Sequence, residues 1–155
     1  MGDTSLKLDR RGFLAAGAAG LAVAAIGAAA PAGADTAAKP PRLTLHVLDV
    51  HRGRPAAGMR IDLSRLDGSG AHAVKTVQTQ ANGRTAEPVL VGDDLVPGEY
   101  ELLLHLGDYY AAQGVRQSEP PFLRQVPIRF TVYAREAFHI PVLVTPWSYS
   151  TYRGS

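Results

Sequence analysis

Three side chains of this sequence have a chemistry that a structural β-strand does not need: His46, Arg84 and His139. A neutral imidazole accepts a proton near neutral pH because its ordinary pKa is about 6.5, and a guanidinium stays charged and binds paired oxygens. Together they could activate water and stabilise an oxyanion, as hydrolysis requires. For either histidine alone, a hydrogen-bonded structural role on a strand is the alternative.

The end of the chain, Tyr152-Arg153-Gly154-Ser155, is a second candidate for a site. It combines a phenol, a permanent cation, a flexible glycine and a hydroxyl beside a carboxylate, whereas ordinary tails are small, polar and dispensable. We therefore predict that these four residues serve a site.

Other kinds of reactive site are not supported by the residue types and their spacing. Cysteine is absent, which excludes disulfides, thiolate catalysis and cysteine-bound metals. The histidines lack the His-x-His and His-x-x-x-His spacings of zinc sites, and neither a Gly-x-Ser-x-Gly elbow nor a phosphate-binding loop occurs. We expect no metal and no cofactor, and we predict that the remaining histidines are surface residues: His51, His72 and His105.

The elements that must hold the candidate residues follow from short alternating apolar segments separated by turn residues. They predict strands at residues 43–49, 59–66, 73–79, 89–91, 99–106, 126–133, 138–145 and 148–152. Asp108 as an N-cap and Gly114 as a stop predict one short helix over residues 108–113. Pro127 and Pro141 indicate edge strands or bulges. Seven or eight such strands predict an all-β sandwich.

The same alternation orients the two candidate histidines. His46 lies on the strand face opposite Leu45 and Val47, and His139 lies opposite Ile140. Both imidazoles are therefore predicted to avoid the apolar face that forms the core. A pair of acids at residues 93–94 follows a glycine and is predicted to be a solvated turn, with no acid–base role.

The first 34 residues have the pattern of a twin-arginine export signal peptide. Arg10-Arg11 precede an apolar run rich in Ala and Gly and then a small-residue exit at residues 32–34. A membrane anchor is the alternative, but the run is short for a bilayer and Pro31 follows it. Cleavage after Ala34 would give a periplasmic or otherwise extracytoplasmic protein. Residues 35–42 are expected to be a flexible tether, and residues 43–155 a single domain.

The charge balance of the segment after the signal peptide is close to neutral. Three of the 16 basic and two of the 14 acidic side chains lie in the first 34 residues, which leaves 13 against 12. No basic stripe or like-charge block occurs, so we expect neither nucleic acid nor an anionic membrane surface as a partner. A small molecule is the expected ligand, and a stable membrane anchor is not expected.

Four segments, in this order, resemble the 5-hydroxyisourate hydrolase family, the transthyretin-like enzymes of urate breakdown. They are Leu45-His46-Val47-Leu48-Asp49, Asn82-Gly83-Arg84-Thr85, Phe138-His139-Ile140-Pro141 and Tyr149-Ser150-Thr151-Tyr152-Arg153-Gly154-Ser155. The resemblance implies a transthyretin- or prealbumin-like β-sandwich with one short helix, working as a homotetramer. The hormone carrier transthyretin has Lys, Glu and Thr where this chain has His46, Arg84 and His139, so the chain keeps the enzymes' residues.

The resemblance also implies a reaction, the hydrolysis of a ring amide of 5-hydroxyisourate without a metal or cofactor. The product would be 2-oxo-4-hydroxy-4-carboxy-5-ureidoimidazoline, and activity on related cyclic ureides stays open. His46 is assigned as the base and His139 as its partner, although the reverse is equally allowed by the sequence. The implied catalytic residues are His46, Arg84, His139 and Ser155. The implied substrate-binding residues are His46, Arg84, Tyr152, Arg153 and Gly154.

Two other functions are the alternatives to a hydrolase. One is a non-catalytic transthyretin-like binder, and the other is an exported immunoglobulin-like adhesion or carbohydrate-binding module. A binder has no use for two strand histidines with Arg84 and a fixed carboxyl end. A carbohydrate module would present several aromatic side chains in a row, which this chain lacks.

Overall fold

The computed structural model describes residues 39–154. The predicted signal peptide, its cleavage point after Ala34, residues 35–38 of the predicted tether and Ser155 therefore lie outside the described residues. The strands are β1 (Arg42–Asp49), β2 (Arg54–Pro55), β3 (Arg60–Asp67), β4 (Gly70–Gln78), β5 (Leu90–Val91), β6 (Gly98–Leu104), β7 (Val126–Val132), β8 (Ala137–Val144) and β9 (Tyr149–Thr151). Over residues 39–154 the α-helical structure is α1 (Leu106–Ala112), and no helix there is long and apolar enough to span a bilayer.

Two sheets make up the domain. One has the strand order β2-β1-β8-β9, with β5 also paired to β1, and the other has the order β4-β3-β6-β7. The pairing of β1 with β8 is parallel, and the other strand pairs are antiparallel. Apolar side chains of both sheets form one core cluster. This architecture confirms the predicted all-β sandwich.

The core follows from the period-two pattern of the strands. In β1 the buried side chains Leu43, Leu45 and Val47 alternate with the partly exposed Thr44 and His46. Each fully buried Leu or Val contributes roughly 1.5–3 kcal/mol, and a shift by one residue would bury the polar set instead. The hydrophobic pattern therefore determines which face of β1 carries the imidazole.

The region between β6 and α1 differs from the prediction. The strand ends at Leu104 and the helix begins at Leu106, so Asp108 lies in the first helical turn and not at the N-cap. His105, predicted to be a surface residue, is only 9% exposed. Its Nε2 lies 2.6 Å from Oδ2 of Asp62 on β3, and this partner makes the burial of the imidazole tolerable. The surface assignment of His105 was therefore wrong.

The prediction of an edge strand or bulge holds for one strand proline and fails for the other. Pro127 lies on β7, which is an edge strand as predicted. Pro141 lies on β8, an interior strand with no bulge in its register to β1, so that prediction was wrong. The Pro141 carbonyl accepts a hydrogen bond from Thr151 Oγ1 at 2.9 Å. The amide and carbonyl of one strand residue point to the same side, so the position where Pro141 lacks an N–H faces β9. The hydrogen bonds between β1 and β8 therefore lose no donor.

A buried carboxylate joins the end of β1 to the helix. Asp49 is fully buried and accepts hydrogen bonds from Tyr109 Oη at 2.9 Å, Tyr110 Oη at 3.0 Å and the Arg52 amide at 3.0 Å. Burial and the Asp49 carboxylate raise the pKa of Tyr109 to about 12, so the phenol stays a donor. This network fixes the end of the strand that carries His46.

Candidate active site

The parallel pairing of β1 with β8 brings the two candidate histidines together. In its register, Thr44 lies opposite His139, and His46 lies opposite Pro141. Neighbouring strands are about 4.8 Å apart, and residues in register point to the same face of a sheet. His46 and His139 are therefore near neighbours on the face of the sheet that points away from the core, and both are partly exposed.

The Asn82-Gly83 turn brings Arg84 to the same place. The amide of Val47 donates to the carbonyl of Gly83 at 2.8 Å, and Arg84 forms an antiparallel bridge with His46. The amide of Arg84 donates to Oδ1 of Asn82 at 3.0 Å, which closes the turn. Gly83 has φ +74°, and a Cβ there would overlap the carbonyl oxygen of Val47. The turn can approach the strand this closely only with glycine.

The end of the chain lies against His139. The amide of Gly154 donates to the carbonyl of His139 at 2.8 Å, and the two residues form an antiparallel bridge. A Cβ on Gly154 would lie 2.8 Å from Cδ2 of the imidazole. The structure thus brings together four of the predicted site residues: His46, Arg84, His139 and Gly154. Ser155, the remaining catalytic candidate, lies outside the described residues.

Both imidazoles are held towards their neutral form. Burial lowers the pKa of His46 below its ordinary value of 6.5, and the Arg84 charge lowers it further, against a hydrogen bond to the Asn82 backbone. Burial also lowers the pKa of His139, with further contributions from the charges of Arg84 and His46, against a hydrogen bond to the Thr44 backbone. Near neutral pH each ring can therefore accept a proton.

Tyr152 and Arg153 lie beside an apolar cavity. They line an apolar cavity of about 180 Å³ together with Phe138, Ile140 and residues of the edge strand β7. The guanidinium of Arg153 donates to Oε1 of Glu136 at 2.7 Å and lies 5.1 Å from the centre of the Phe138 ring. Tyr152 is 60% exposed. Neither side chain forms a hydrogen bond with an imidazole in the part of the chain that the structure describes, so their substrate-binding role stays a prediction.

The two remaining exposed histidines have other neighbours. His51 packs edge-on against Trp147, and His72 contacts Asp67 and Ser69. Both are exposed, as predicted. Within residues 39–154, no three or more His, Cys, Asp or Glu side chains are grouped so that they could hold a metal ion.

One contact of the site was not predicted. Thr44 Oγ1 lies 3.0 Å from Nδ1 of His139. Alternation along β1 places Thr44 on the face of His46, but only the register to β8 reveals its imidazole partner. No local signal in the sequence could have indicated this pair.

The sandwich and its site define a transthyretin-like protein that carries two imidazoles beside a guanidinium on a sheet face. The chain belongs to the HIUase/Transthyretin family, whose model matches residues 43–154. This confirms the resemblance seen in the sequence.

Individual relatives agree with the family assignment. The 5-hydroxyisourate hydrolase of Mesorhizobium japonicum is 51% identical over 114 residues, which cover 74% of this chain and 92% of that protein. The solved 5-hydroxyisourate hydrolase of Klebsiella pneumoniae is 32% identical with a TM-score of 0.59, over 74% of this chain and 93% of that chain. Transthyretin from Sparus aurata shares the fold at 21% identity and a TM-score of 0.65, over 74% of this chain and 97% of that chain.

Proposed function

We propose that this protein hydrolyses 5-hydroxyisourate to 2-oxo-4-hydroxy-4-carboxy-5-ureidoimidazoline, a step of urate degradation. The observation that carries the proposal is the convergence of His46, Arg84 and His139 on one sheet face, with both imidazoles held neutral. The two 5-hydroxyisourate hydrolases named above add support, because their similarity to this chain extends over more than nine-tenths of their own length.

The reaction needs a base, an oxyanion partner and a proton for the leaving nitrogen. One imidazole takes a proton from water as the water oxygen bonds to the ring carbonyl carbon. The Arg84 guanidinium stabilises the negative charge that develops on the carbonyl oxygen. When the intermediate collapses, the carbon–nitrogen bond breaks and the imidazolium returns its proton to the nitrogen. The net change is the addition of one water molecule and the opening of one ring.

The end of the chain is proposed to complete the site. Gly154 lies against His139, and Ser155, the next residue in the sequence, is proposed to contribute to the same site. Tyr152 is proposed to stack on or hydrogen-bond the substrate ring. A substrate contact by Arg153 would need the release of its ion pair with Glu136, so we expect this residue to contribute less than Arg84.

A homotetramer is the proposed working unit. The site lies on a sheet face, where a small substrate is poorly shielded from water unless another surface covers it. Large apolar side chains that such a surface could cover are 44–60% exposed: Val50, Trp147, Tyr149 and Tyr152. Dissociation should abolish turnover while each protomer stays folded. Sedimentation coupled to activity measurement tests this, and active monomers would contradict it.

Export by the twin-arginine route is proposed for residues 1–34. The support is the Arg10-Arg11 pair before an apolar run, together with the absence of cysteine, which suits a protein folded before transport. Replacing both arginines with lysine should trap the uncleaved protein in the cytoplasm. Cell fractionation with immunodetection measures this, and unchanged export of the double variant would refute the proposed route.

The activity itself is tested by following the decay of 5-hydroxyisourate, generated by urate oxidase, with and without the protein. We expect the wild type to accelerate the decay. His46→Ala, His139→Ala and Arg84→Ala should each lose about a hundredfold or more in kcat/KM, and deletion of Ser155 should also impair turnover. His72→Ala is the matched control, because it removes an exposed imidazole on β4. Equal decay rates with and without the wild-type protein would remove the enzyme claim.

A further inference from the structure

The hydroxyl of Thr44 links the imidazole of His139 to the backbone of the neighbouring strand. Its Oγ1 lies 3.0 Å from Nδ1 of His139 and donates to the carbonyl oxygen of Phe138 at 3.2 Å. Thr44 and His139 are register partners in the parallel β1–β8 pair, so the contact is built into the sheet.

Only one placement of the hydrogens makes both contacts hydrogen bonds at the same time. The Phe138 carbonyl oxygen can only accept, and a threonine hydroxyl has a single hydrogen to donate. With that hydrogen directed to Phe138, Oγ1 of Thr44 presents a lone pair to the imidazole. Nδ1 of His139 must then carry the proton in this contact, and in the neutral ring Nε2 has a free lone pair.

The imidazole of His139 is also held towards its neutral form. Burial and the charges of Arg84 and His46 lower the pKa of His139 below its ordinary value, against a hydrogen bond to the Thr44 backbone, so the ring is uncharged near neutral pH.

The imidazole is also held on its opposite edge. Gly154 lies so close to Cδ2 of His139 that a Cβ there would be 2.8 Å away. Nδ1 and Cδ2 are the two ring atoms bonded to Cγ, so Thr44 and Gly154 hold the two sides of the ring. The tip of the ring, which includes Nε2, is the part that remains to meet a substrate or a water molecule.

We propose that Thr44 is a positioning residue that holds His139 as its Nδ1–H tautomer and thereby makes Nε2 of His139 the atom that accepts the proton of the attacking water. The catalytic part of this inference rests on the hydrolase function proposed above. It selects His139 over His46 as the base, a choice that the sequence leaves open. The tautomer itself can be measured without any substrate.

The first experiment is nuclear magnetic resonance of the intact protein labelled with ¹⁵N-histidine, using long-range ¹H–¹⁵N correlations at neutral pH. The His139→Ala variant assigns the ring signals. We expect His139 to show a protonated Nδ1 and an unprotonated Nε2. In Thr44→Val, which keeps the branched shape but removes the hydroxyl, the Nε2–H tautomer should increase. Thr44→Ser keeps the hydroxyl and should retain the wild-type pattern.

The second experiment compares steady-state kinetics of the same variants with 5-hydroxyisourate. Loss of one hydrogen bond that orients the base should lower kcat of Thr44→Val by about tenfold, with KM little changed, and Thr44→Ser should restore most of it. Thr76→Val is the matched control, since it removes a strand hydroxyl that donates to Asp62 at 2.7 Å in the other sheet.

The outcomes separate the two claims. A wild-type His139 protonated at Nε2, or a folded Thr44→Val variant with unchanged kcat, would overturn the role of Thr44. If Thr44→Val does not fold, the wild-type tautomer and the kinetics of Thr44→Ser still decide. If the wild type does not accelerate substrate decay but shows the Nδ1–H tautomer, the proposed function fails and the structural part of the inference stands.

Discussion

Replacing Gly154 with alanine should impair catalysis without unfolding the protein. The backbone of Gly154 does not have the positive φ that only glycine tolerates, so alanine is conformationally allowed. The obstacle is space, because the new Cβ would lie 2.8 Å from Cδ2 of His139 and 3.4 Å from its Cβ and Cγ. The difference between 2.8 Å and the 3.4 Å at which ordinary contact begins requires a movement of at least about 0.6 Å.

That movement falls on the imidazole or on the chain end. The amide of Gly154 donates a hydrogen bond to the carbonyl of His139 at 2.8 Å. This bond fixes the distance between the two backbones, so the imidazole ring is the part that can rotate. A misplacement of about 1 Å in a catalytic group costs up to about a hundredfold in rate. A shift of about 0.6 Å should therefore lower kcat/KM by roughly tenfold or more. The melting temperature should change little, because Gly154 lies outside the hydrophobic core cluster.

The assay is the decay of 5-hydroxyisourate measured beside thermal unfolding. Gly68→Ala is the matched control, since Gly68 also lacks a positive φ and its Cβ would meet nothing within 4 Å. It should keep wild-type kcat/KM. Wild-type activity of Gly154→Ala would show that His139 does not depend on the chain end, and the reasoning would fail. Equal losses in both variants would attribute the effect to alanine itself.

Three further predictions concern the turn, the charges and the buried acid. Gly83→Ala should cost at least about 2 kcal/mol of unfolding free energy, because it combines φ +74° with a backbone overlap; an unchanged urea midpoint would contradict this. Arg84→Gln should raise the pKa of both His46 and His139, because the Arg84 charge helps to lower them. Since both pKa values are lower in the folded state than the ordinary 6.5, the folded state loses stability as pH falls below 6.5. Titration by nuclear magnetic resonance should show the rise, and urea midpoints should show a smaller acid loss. Asp49→Asn should lower the free energy of unfolding by about 1–3 kcal/mol, because an amide N–H would then face a tyrosine hydroxyl that donates to the carboxylate in the wild type. Urea unfolding at neutral pH measures this loss.

The sequence by itself determined most of the sandwich. Strand positions follow from period-two alternation, because burying the wrong face of β1 would cost several leucine and valine side chains. The same local rule placed His46 and His139 away from the core. The Asn82-Gly83 pair is typical of a tight turn for a local reason as well, since such a turn needs a residue that tolerates positive φ. These predictions depend on interactions within a few residues of the chain.

Tertiary structure alone decided which side chains meet. The parallel register of β1 and β8 pairs Thr44 with His139, residues 95 positions apart in the chain. His105 was predicted to be exposed, and it is buried because Asp62 on another strand supplies a carboxylate. Alternation specifies which face a side chain occupies and says nothing about its neighbour on the next strand. That neighbour is set by the pairing of distant segments, which depends on how the two sheets pack as a whole.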